Sequence, residues 1–515
     1  MSTSGRPGSD PVSVVIVGAG PAGVTAATLL GQYGVECLVL DRWDDVYPQP
    51  RAVHLDDEVY RILARLGIAE EFAAASRPTL GLQLVDRNHR VFAVFDRATE
   101  RGRHGHPAAN MFDQPELEHL MRINLEGQPT VRLRGNVEVT DVAQDGQGRV
   151  RVDFTDRSGG EHESVLAHYV LGCDGANSVV RAAIGATMED LRFEQRWLVL
   201  DVTCAGELDQ WEGVHQVCDP RRAATYMRIG ESRYRWEFRL LDGETASDFA
   251  SMDAVLPLIN PWLEGVSTSR LRLVRAAEYT FRAQIADHWR DRRVFLLGDA
   301  AHLTPPFIGQ GLCAGLRDAM NLSWKLAGVL AGDLPEAVLD TYQAERKPHA
   351  RAMIKLAQLI GAAMTRGGRT GDVLRRVVAP RLDRIPGMRA RILDSETPAL
   401  SGSLLVHRRR FARSLAGQLC PNALLGDGRR LDDLAIAGFL LVTRVAPTCQ
   451  QRQRLFERGT QVLEVDPASE LGTWLSKGDS AAALVRPDHT VMRSGRDLAA
   501  LAEAAPRFGS RFVSL

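Results

Sequence analysis

The hydrophobic pattern changes period several times along the 515 residues, and each change predicts a change of element. Residues 14–17 are apolar and β-branched, which predicts a buried parallel strand. Ala26, Ala27, Leu29 and Leu30 continue at helical spacing, and Gly31 and Gly34 end that helix. Residues 37–40 read as a second strand, closed by Asp41. The segment YPQPRAVHLDDEVYRILARLGI predicts an extended loop with two prolines, then a helix from near Leu55. Residues 80–98 alternate and read as a hairpin. FDQPELEHLM opens a helix, with Gln114 just before it and Pro115 near its start. VEVTDVAQDGQGRVRVDFTD is a second hairpin. A strand over residues 169–171 then runs into Asp174-Gly175, and a helix carrying Arg181 follows.

Helical periodicity fades between residues 186 and 281, where WLVLDVTC, AATYMRI, YRWEFRLL and LVRAAEYTF read as strands. The α/β pattern then returns, with a strand over 294–297 and a long helix carrying Leu312, Leu316, Ala319, Leu322 and Leu326. YQAERKPHARAMIKLAQLIGAAM is helical, and PRLDRIPGMRARILD reads as a crossover. The expected fold is α/β. Residues 11–185 and 282–395 form a Rossmann-like domain in two parts, the second with long helices. Residues 186–281 are an inserted antiparallel β-sheet, and residues 400–515 a separate small α/β unit.

Two turns carry candidate chemistry. Gly18, Gly20 and Gly23 stand in G-x-G-x-x-G spacing between the first strand and helix. The first allows a tight turn, the second lets a pyrophosphate approach the backbone, and the third lets helix pack on strand. Asp41 lies where a carboxylate binds an adenosine ribose, and the helix N-terminus favours phosphate. This motif alone leaves NAD and FAD open. The second turn follows residues 294–297: Gly298-Asp299, then Pro305-Pro306, then Gly309, Gln310 and Gly311 opening the long helix. Two nucleotide-type turns so far apart in sequence argue for a long ligand such as FAD, with its ribitol near Asp299. The helix start at Gly309 would direct its positive dipole at the flavin pyrimidine. Arg51 either reaches a phosphate or flavin edge, or pairs with Asp56 or Asp57. His54 either faces a substrate cavity or bonds backbone.

Composition narrows the classes. Net charge is −1 and pI about 6.9, so nothing points to nucleic acid or an anionic membrane surface. The first ten residues are polar, without the apolar core of a signal peptide, and no apolar run reaches the ~18 residues of a membrane span. Seven cysteines are scattered without C-x-x-C, so neither a metal site nor a disulfide framework is expected, and a cytoplasmic location is.

The segments GAGPAG, CDGANSVVR and GDAAH with PPFIGQG resemble the three FAD fingerprints of class A flavoprotein aromatic hydroxylases, the para-hydroxybenzoate and phenol hydroxylase superfamily. The strings PRAVHLDDEVYRIL, YRWEFRLLDGE and GQGLCAGLRDAMNLSWKL are most similar to its 3-(3-hydroxyphenyl)propionate hydroxylase branch. The tail, with GDGRRLDDL, GFLLV and ALVRPD, is similar to the thioredoxin-like C-terminal domain of that branch. It lacks C-x-x-C, so a packing or oligomerisation role, including a homodimer, is expected over a redox one.

The resemblance implies that Gly18, Gly20, Ala22 and Gly23 hold the ADP pyrophosphate, and Asp41, followed by Arg42, the adenine ribose. Arg51 and Gln114 would contact the flavin side of FAD, and Asp174 would serve FAD and the nicotinamide cofactor. Asp299 would bind ribitol, and Pro306, Gly309, Gly311 and Leu312 would border the isoalloxazine. The implied cycle uses NADH or NADPH to reduce FAD. O2 then gives a flavin C4a-hydroperoxide that hydroxylates a phenolic ring in a site closed to water. A base near the phenol raises ring reactivity, and His54 and Tyr226 are the candidates. Arg51, Arg222 or Arg233 would meet a substrate carboxylate, with surface solvation the favoured alternative for Arg222 and Arg233. Two other readings are a flavin-dependent dehydrogenase or reductase on the same fold, and a non-enzymatic FAD-binding protein.

Overall fold

The first strand, β1 (Val12–Val17), is almost wholly buried, and each of its valines and its isoleucine contributes about 1.5–3 kcal/mol by leaving water. The computed structural model describes residues 10–49, 51–97, 99–365, 397–408, 414–434 and 438–509. The crossover expected over 380–394 lies outside them. Helix α1 (Pro21–Gln32) follows β1, with Pro21 in its first turn, where a missing N–H leaves no bond unmade. Next come β2 (Cys37–Leu40) and, after the hairpin Val137–Gln144 with Val150–Asp156, the strand β3 (His162–Gly172).

The helix expected from near Leu55 begins at Asp57 instead. His54–Asp56 is a short strand paired with Ala109–Phe112, and the Asp56 carboxylate accepts the Val59 N–H at 3.0 Å as the cap of α2 (Asp57–Leu66). Helix α3 (Gln114–Glu126) begins at Gln114 itself rather than after it.

Residues 188–286 supply the long strands of a second sheet: β4 (Met188–Cys204), β5 (Ala224–Arg228), β6 (Arg233–Arg239) and β7 (Leu271–Ala286). Its order is His302–Leu303, β7, β4, β6, β5, Val214–Val217, Gly81–Val85, Val91–Asp96. The hairpin expected at 80–98 thus forms and extends this sheet. Period-two alternation splits β6: Tyr234, Trp236 and Phe238 pack with Val255, Ile259 and Trp262 on one face, and Arg235 and Glu237 take the other.

The chain returns to the first sheet with β8 (Val294–Leu296), then forms the long helices α4 (Gln310–Leu330) and α5 (Asp340–Thr365). The first sheet runs Arg290–Asp291, β8, β3, β1, β2, Val131–Arg134, and β8, β3, β1 and β2 are mutually parallel. Val17 pairs with Gly172 and with Leu40, and Gly172 with Leu296. That register brings the turns at Gly18, Asp41, Asp174 and Asp299 to one carboxyl edge, although they are far apart in sequence.

In the tail, Leu440–Thr443 lies between Gln461–Glu464, which is parallel to it, and Ala482–Val485, which is antiparallel and pairs with Val491–Gly495. Its buried Phe439, Leu441 and Phe508 pack on Trp324 of α4. Among the described residues no helix is long and apolar enough to cross a membrane.

Candidate active site

A cavity of about 440 Å³ lies between the carboxyl edge of the first sheet and the second sheet. Gly20 and Ala22 of the first glycine turn front it, and so do Pro306, Gly309, Gly311 and Leu312 of the second. Arg51, His54, Gln114 and Asp299 also line it. The two motifs, far apart in the sequence, therefore share one space.

In the first turn each glycine has its own reason. Gly18 has φ +102°, and a Cβ there would lie 2.4 Å from the Cys173 carbonyl oxygen. A Cβ on Gly23 would lie 1.9 Å from the Gly18 carbonyl oxygen, whereas Gly20 is open. Gly18 and Gly23 shape the turn without fronting the cavity. So does Asp41, which is buried and accepts the Ala19 N–H at 2.6 Å and the Trp43 N–H at 2.8 Å. Arg42 is exposed, 3.9 Å from Glu138 and over the Trp43 ring, and the fold does not bring it to the cavity.

The Asp174 turn is braced from within. Asp174 accepts from the Ser178 hydroxyl and from the Val180 N–H at 3.1 Å, and burial raises its carboxyl above the usual range. Its neighbours Cys173 and Gly175 front the cavity. Arg181 donates to the carbonyls of Ala176 at 2.7 Å and Ala300 at 3.0 Å, tying this turn to the one that carries Asp299. Asp318 on α4 holds that second turn: it accepts from the Gly298 N–H at 3.1 Å, His302 Nε2 at 2.7 Å and Arg346 Nε at 2.8 Å.

Gly309 takes φ +62° as the residue before α4, and a Cβ there would press on His54 Nδ1 at 2.6 Å. His54 Nε2 accepts from Arg97 Nη1 at 3.1 Å, so the neutral ring carries its proton on Nδ1, which is buried without a hydrogen-bond partner. Burial and the Arg97 charge lower the imidazole to about 3. Gln114 Oε1 accepts the N–H groups of Arg51 at 3.0 Å and Ala52 at 2.5 Å, fixing the loop that carries Arg51 and leads into the strand at His54. Arg51 itself stacks over Tyr47 rather than pairing with Asp56, which is bound by Arg317 at 2.7 Å.

Tyr226 is not brought to the cavity. Its neighbours Thr225 and Met227 line it, so strand alternation sends the Tyr226 ring to the opposite face, between Trp236 and His215. Burial raises its hydroxyl further above the usual range, which removes it as a base. Arg222 pairs with Glu244 and Arg233 with Asp113. The residues of this face that the sequence reading missed are Arg235, Asp201 and Glu237. Arg235 and Asp201 form a buried two-bond ion pair at 2.7 and 3.0 Å, and Arg235 also donates to the Arg51 carbonyl at 3.1 Å. The alternation of YRWEFR held the signal, because charges two apart between aromatics must share the non-core face.

The residues present fit FAD. Both α1 and α4 start at the cavity without a side-chain cap, leaving N–H groups directed at an anion. Gly20 and Gly311 are open on the side where a Cβ would stand. Asp299 fronts the same space as a partly buried acceptor, its carboxyl raised above the usual range by desolvation.

Comparison with known proteins agrees with this geometry. Residues 11–357 match the family model described as FAD binding domain. The chain is 35% identical to a probable NADH-specific resorcinol 4-hydroxylase of Rhodococcus jostii, covering 98% of this chain and 96% of that one. It is 33% identical to a 3-(3-hydroxy-phenyl)propionate/3-hydroxycinnamic acid hydroxylase 2 of Burkholderia vietnamiensis, covering 93% of each. In fold it is similar to aklavinone-11 hydroxylase in complex with FAD and aklavinone, with TM-score 0.80, 22% identity and coverage of 97% and 99%. It is also similar to the flavin-dependent monooxygenase PieE, with TM-score 0.78, 23% identity and coverage of 96% and 98%. The chain belongs to the FAD-binding-domain family of class A flavoprotein aromatic hydroxylases, and is an FAD-dependent enzyme.

Proposed function

We propose that the chain hydroxylates a small phenolic substrate, a hydroxyphenylpropionate-like acid or a resorcinol-like diol, with NADH and O2. The cavity shared by the two glycine turns and roofed by the second sheet carries this reading. FAD would supply the oxygen-transfer chemistry when bound. Gly20, Ala22 and the α1 N-terminus would hold its phosphates, Asp299 its ribitol, and the turn from Pro306 to Leu312 its ring system.

The rest is the work of this chain's own side chains. Val199, Met227 and Phe281 give the roof an apolar surface that keeps water from the reacting ring. Arg51 and Arg97 front the cavity and favour a substrate carboxylate. His54 is neutral and offers its Nδ1 proton as a hydrogen-bond donor, which makes it a positioning group rather than the base.

The tail is read as thioredoxin-like, supported by its strand order of 2-1-3-4 with one parallel and two antiparallel pairs. Cys420 is buried and pushed up to about 12, and Cys449 is exposed, which supports a packing role over a redox one. The reading includes a cytoplasmic location, supported by seven cysteines that form no disulfide among the described residues. It also includes a homodimer, for which the exposed Phe456 of the tail offers apolar surface.

The test uses yellow, FAD-loaded protein. 3-(3-Hydroxyphenyl)propionate and resorcinol are expected to stimulate NADH oxidation, and under 18O2 the product should carry one labelled oxygen. Stimulated NADH oxidation without label would favour a dehydrogenase or reductase. Tight FAD with no stimulation by any phenol screened would favour a non-enzymatic flavoprotein. Light scattering on the same sample tests the dimer.

A further inference from the structure

The cavity holds one acidic side chain on its roof that no cofactor motif explains. Glu237 lies mid-strand on β6, between Val199 of β4 and Thr225 of β5, both of which also front the cavity. It is partly buried and keeps accessible surface, because it faces the cavity. Two residues away on the same face, Arg235 is committed to Asp201 by two hydrogen bonds and to the Arg51 carbonyl by a third. An acid left to face the cavity beside an already paired arginine is placed to bind a proton donor there.

We propose that Glu237 binds the phenolic hydroxyl of the substrate and receives its proton. The inference rests on the hydroxylase reading above. The phenol O–H bond breaks, its electron pair stays on oxygen, and the proton passes to a Glu237 carboxylate oxygen. The phenolate so formed is the more electron-rich ring that hydroxylation requires. Other groups around the cavity are poorer acceptors. Arg97 occupies His54 Nε2, and the Tyr226 ring lies on the far face. Arg275 and Tyr279 of β7 line the same roof; Arg275 is a donor only, and burial raises the Tyr279 hydroxyl above its ordinary value. Burial raises the Glu237 carboxyl while Arg235 opposes the rise, which brings its affinity for protons closer to that of a phenol.

The experiment follows phenolate formation by its red-shifted ultraviolet band as 3-(3-hydroxyphenyl)propionate or resorcinol is added to the FAD-loaded protein. In unbuffered solution, the wild-type protein should show phenolate with no net proton release, because the proton stays on Glu237. One proton released per phenolate formed would overturn the proposal without any variant. In Glu237→Gln, the pH midpoint of the bound phenol should rise toward that of the free phenol, and coupled hydroxylation should fall by about 10²–10⁴-fold. Glu237→Asp should restore part of both. An unchanged midpoint and rate in Glu237→Gln would also overturn it. If no phenol binds to or is hydroxylated by the wild-type protein, the hydroxylase reading itself fails and this inference with it. Labelled product with an indifferent Glu237 removes this inference alone.

Discussion

Gly20 and Gly23 share one turn but meet opposite surroundings: a Cβ on Gly23 would lie 1.9 Å from the Gly18 carbonyl oxygen, whereas one on Gly20 meets no heavy atom within 4 Å. The glycine at 23 serves the chain's own packing. The glycine at 20 keeps clear a surface that fronts the cavity.

The two substitutions should therefore part. Gly23→Ala forces the turn and helix α1 apart and should lower stability by about 1–3 kcal/mol, read as a fall in Tm of the apoprotein. Gly20→Ala should leave the apoprotein Tm within experimental scatter, yet reduce flavin content after dialysis. Equal losses of Tm in both would show that Gly20 also serves internal packing.

Asp299→Ala removes a cavity-facing acceptor at the second turn while leaving Asp318 to hold that turn through Gly298 and His302. A lost hydrogen bond to a charged group costs about 1.5–3 kcal/mol, so FAD affinity should fall about 10- to 100-fold with the fold intact. Flavin fluorescence titration of the apoprotein measures this. Full retention of FAD would remove Asp299 from the ribitol site.

Asp201→Ala leaves Arg235 charged, buried and without its two bonds. The expected cost is about 3–5 kcal/mol in denaturant melts, and the paired change Asp201→Leu with Arg235→Met should recover much of it. The single variant should also loosen the loop at Arg51, whose carbonyl Arg235 holds, and expose it to protease.

Acid should destabilise the protein in a defined window. Burial lowers His54 and His104 to about 3, and His106 and His489 to about 4, against about 6.5 in the unfolded chain. Between those limits the unfolded chain binds more protons than the folded one. This contribution to stability is complete above about pH 6.5 and is lost as pH falls toward 4 and 3. The Tm should hold near neutrality and then drop, and His104→Asn, with one fewer titrating group, should give a shallower slope. The same slope in that variant would mean His104 does not contribute.

The sequence by itself determined the parts that depend on local rules. The G-x-G-x-x-G turn, the acid closing β2, the Asp174-Gly175 pair after β3, the Gly298-Asp299 pair after β8 and the glycine opening α4 were all legible, because turn chemistry and period are local. Even so, Leu55 read as helix and became strand, since pairing with Asn110 outweighed its helical neighbourhood. What only the tertiary structure decided was which side chains meet. Parallel register placed four distant turns at one edge. Strand alternation turned Tyr226 away and Glu237 inward. On helix α4, Arg317, Asp318, Asn321 and Lys325 are all buried among its apolar positions, because α5 and Asp56 supply partners from elsewhere in the chain. A one-dimensional pattern fixes which positions avoid water. Which charges find one another depends on how the packed elements fall together.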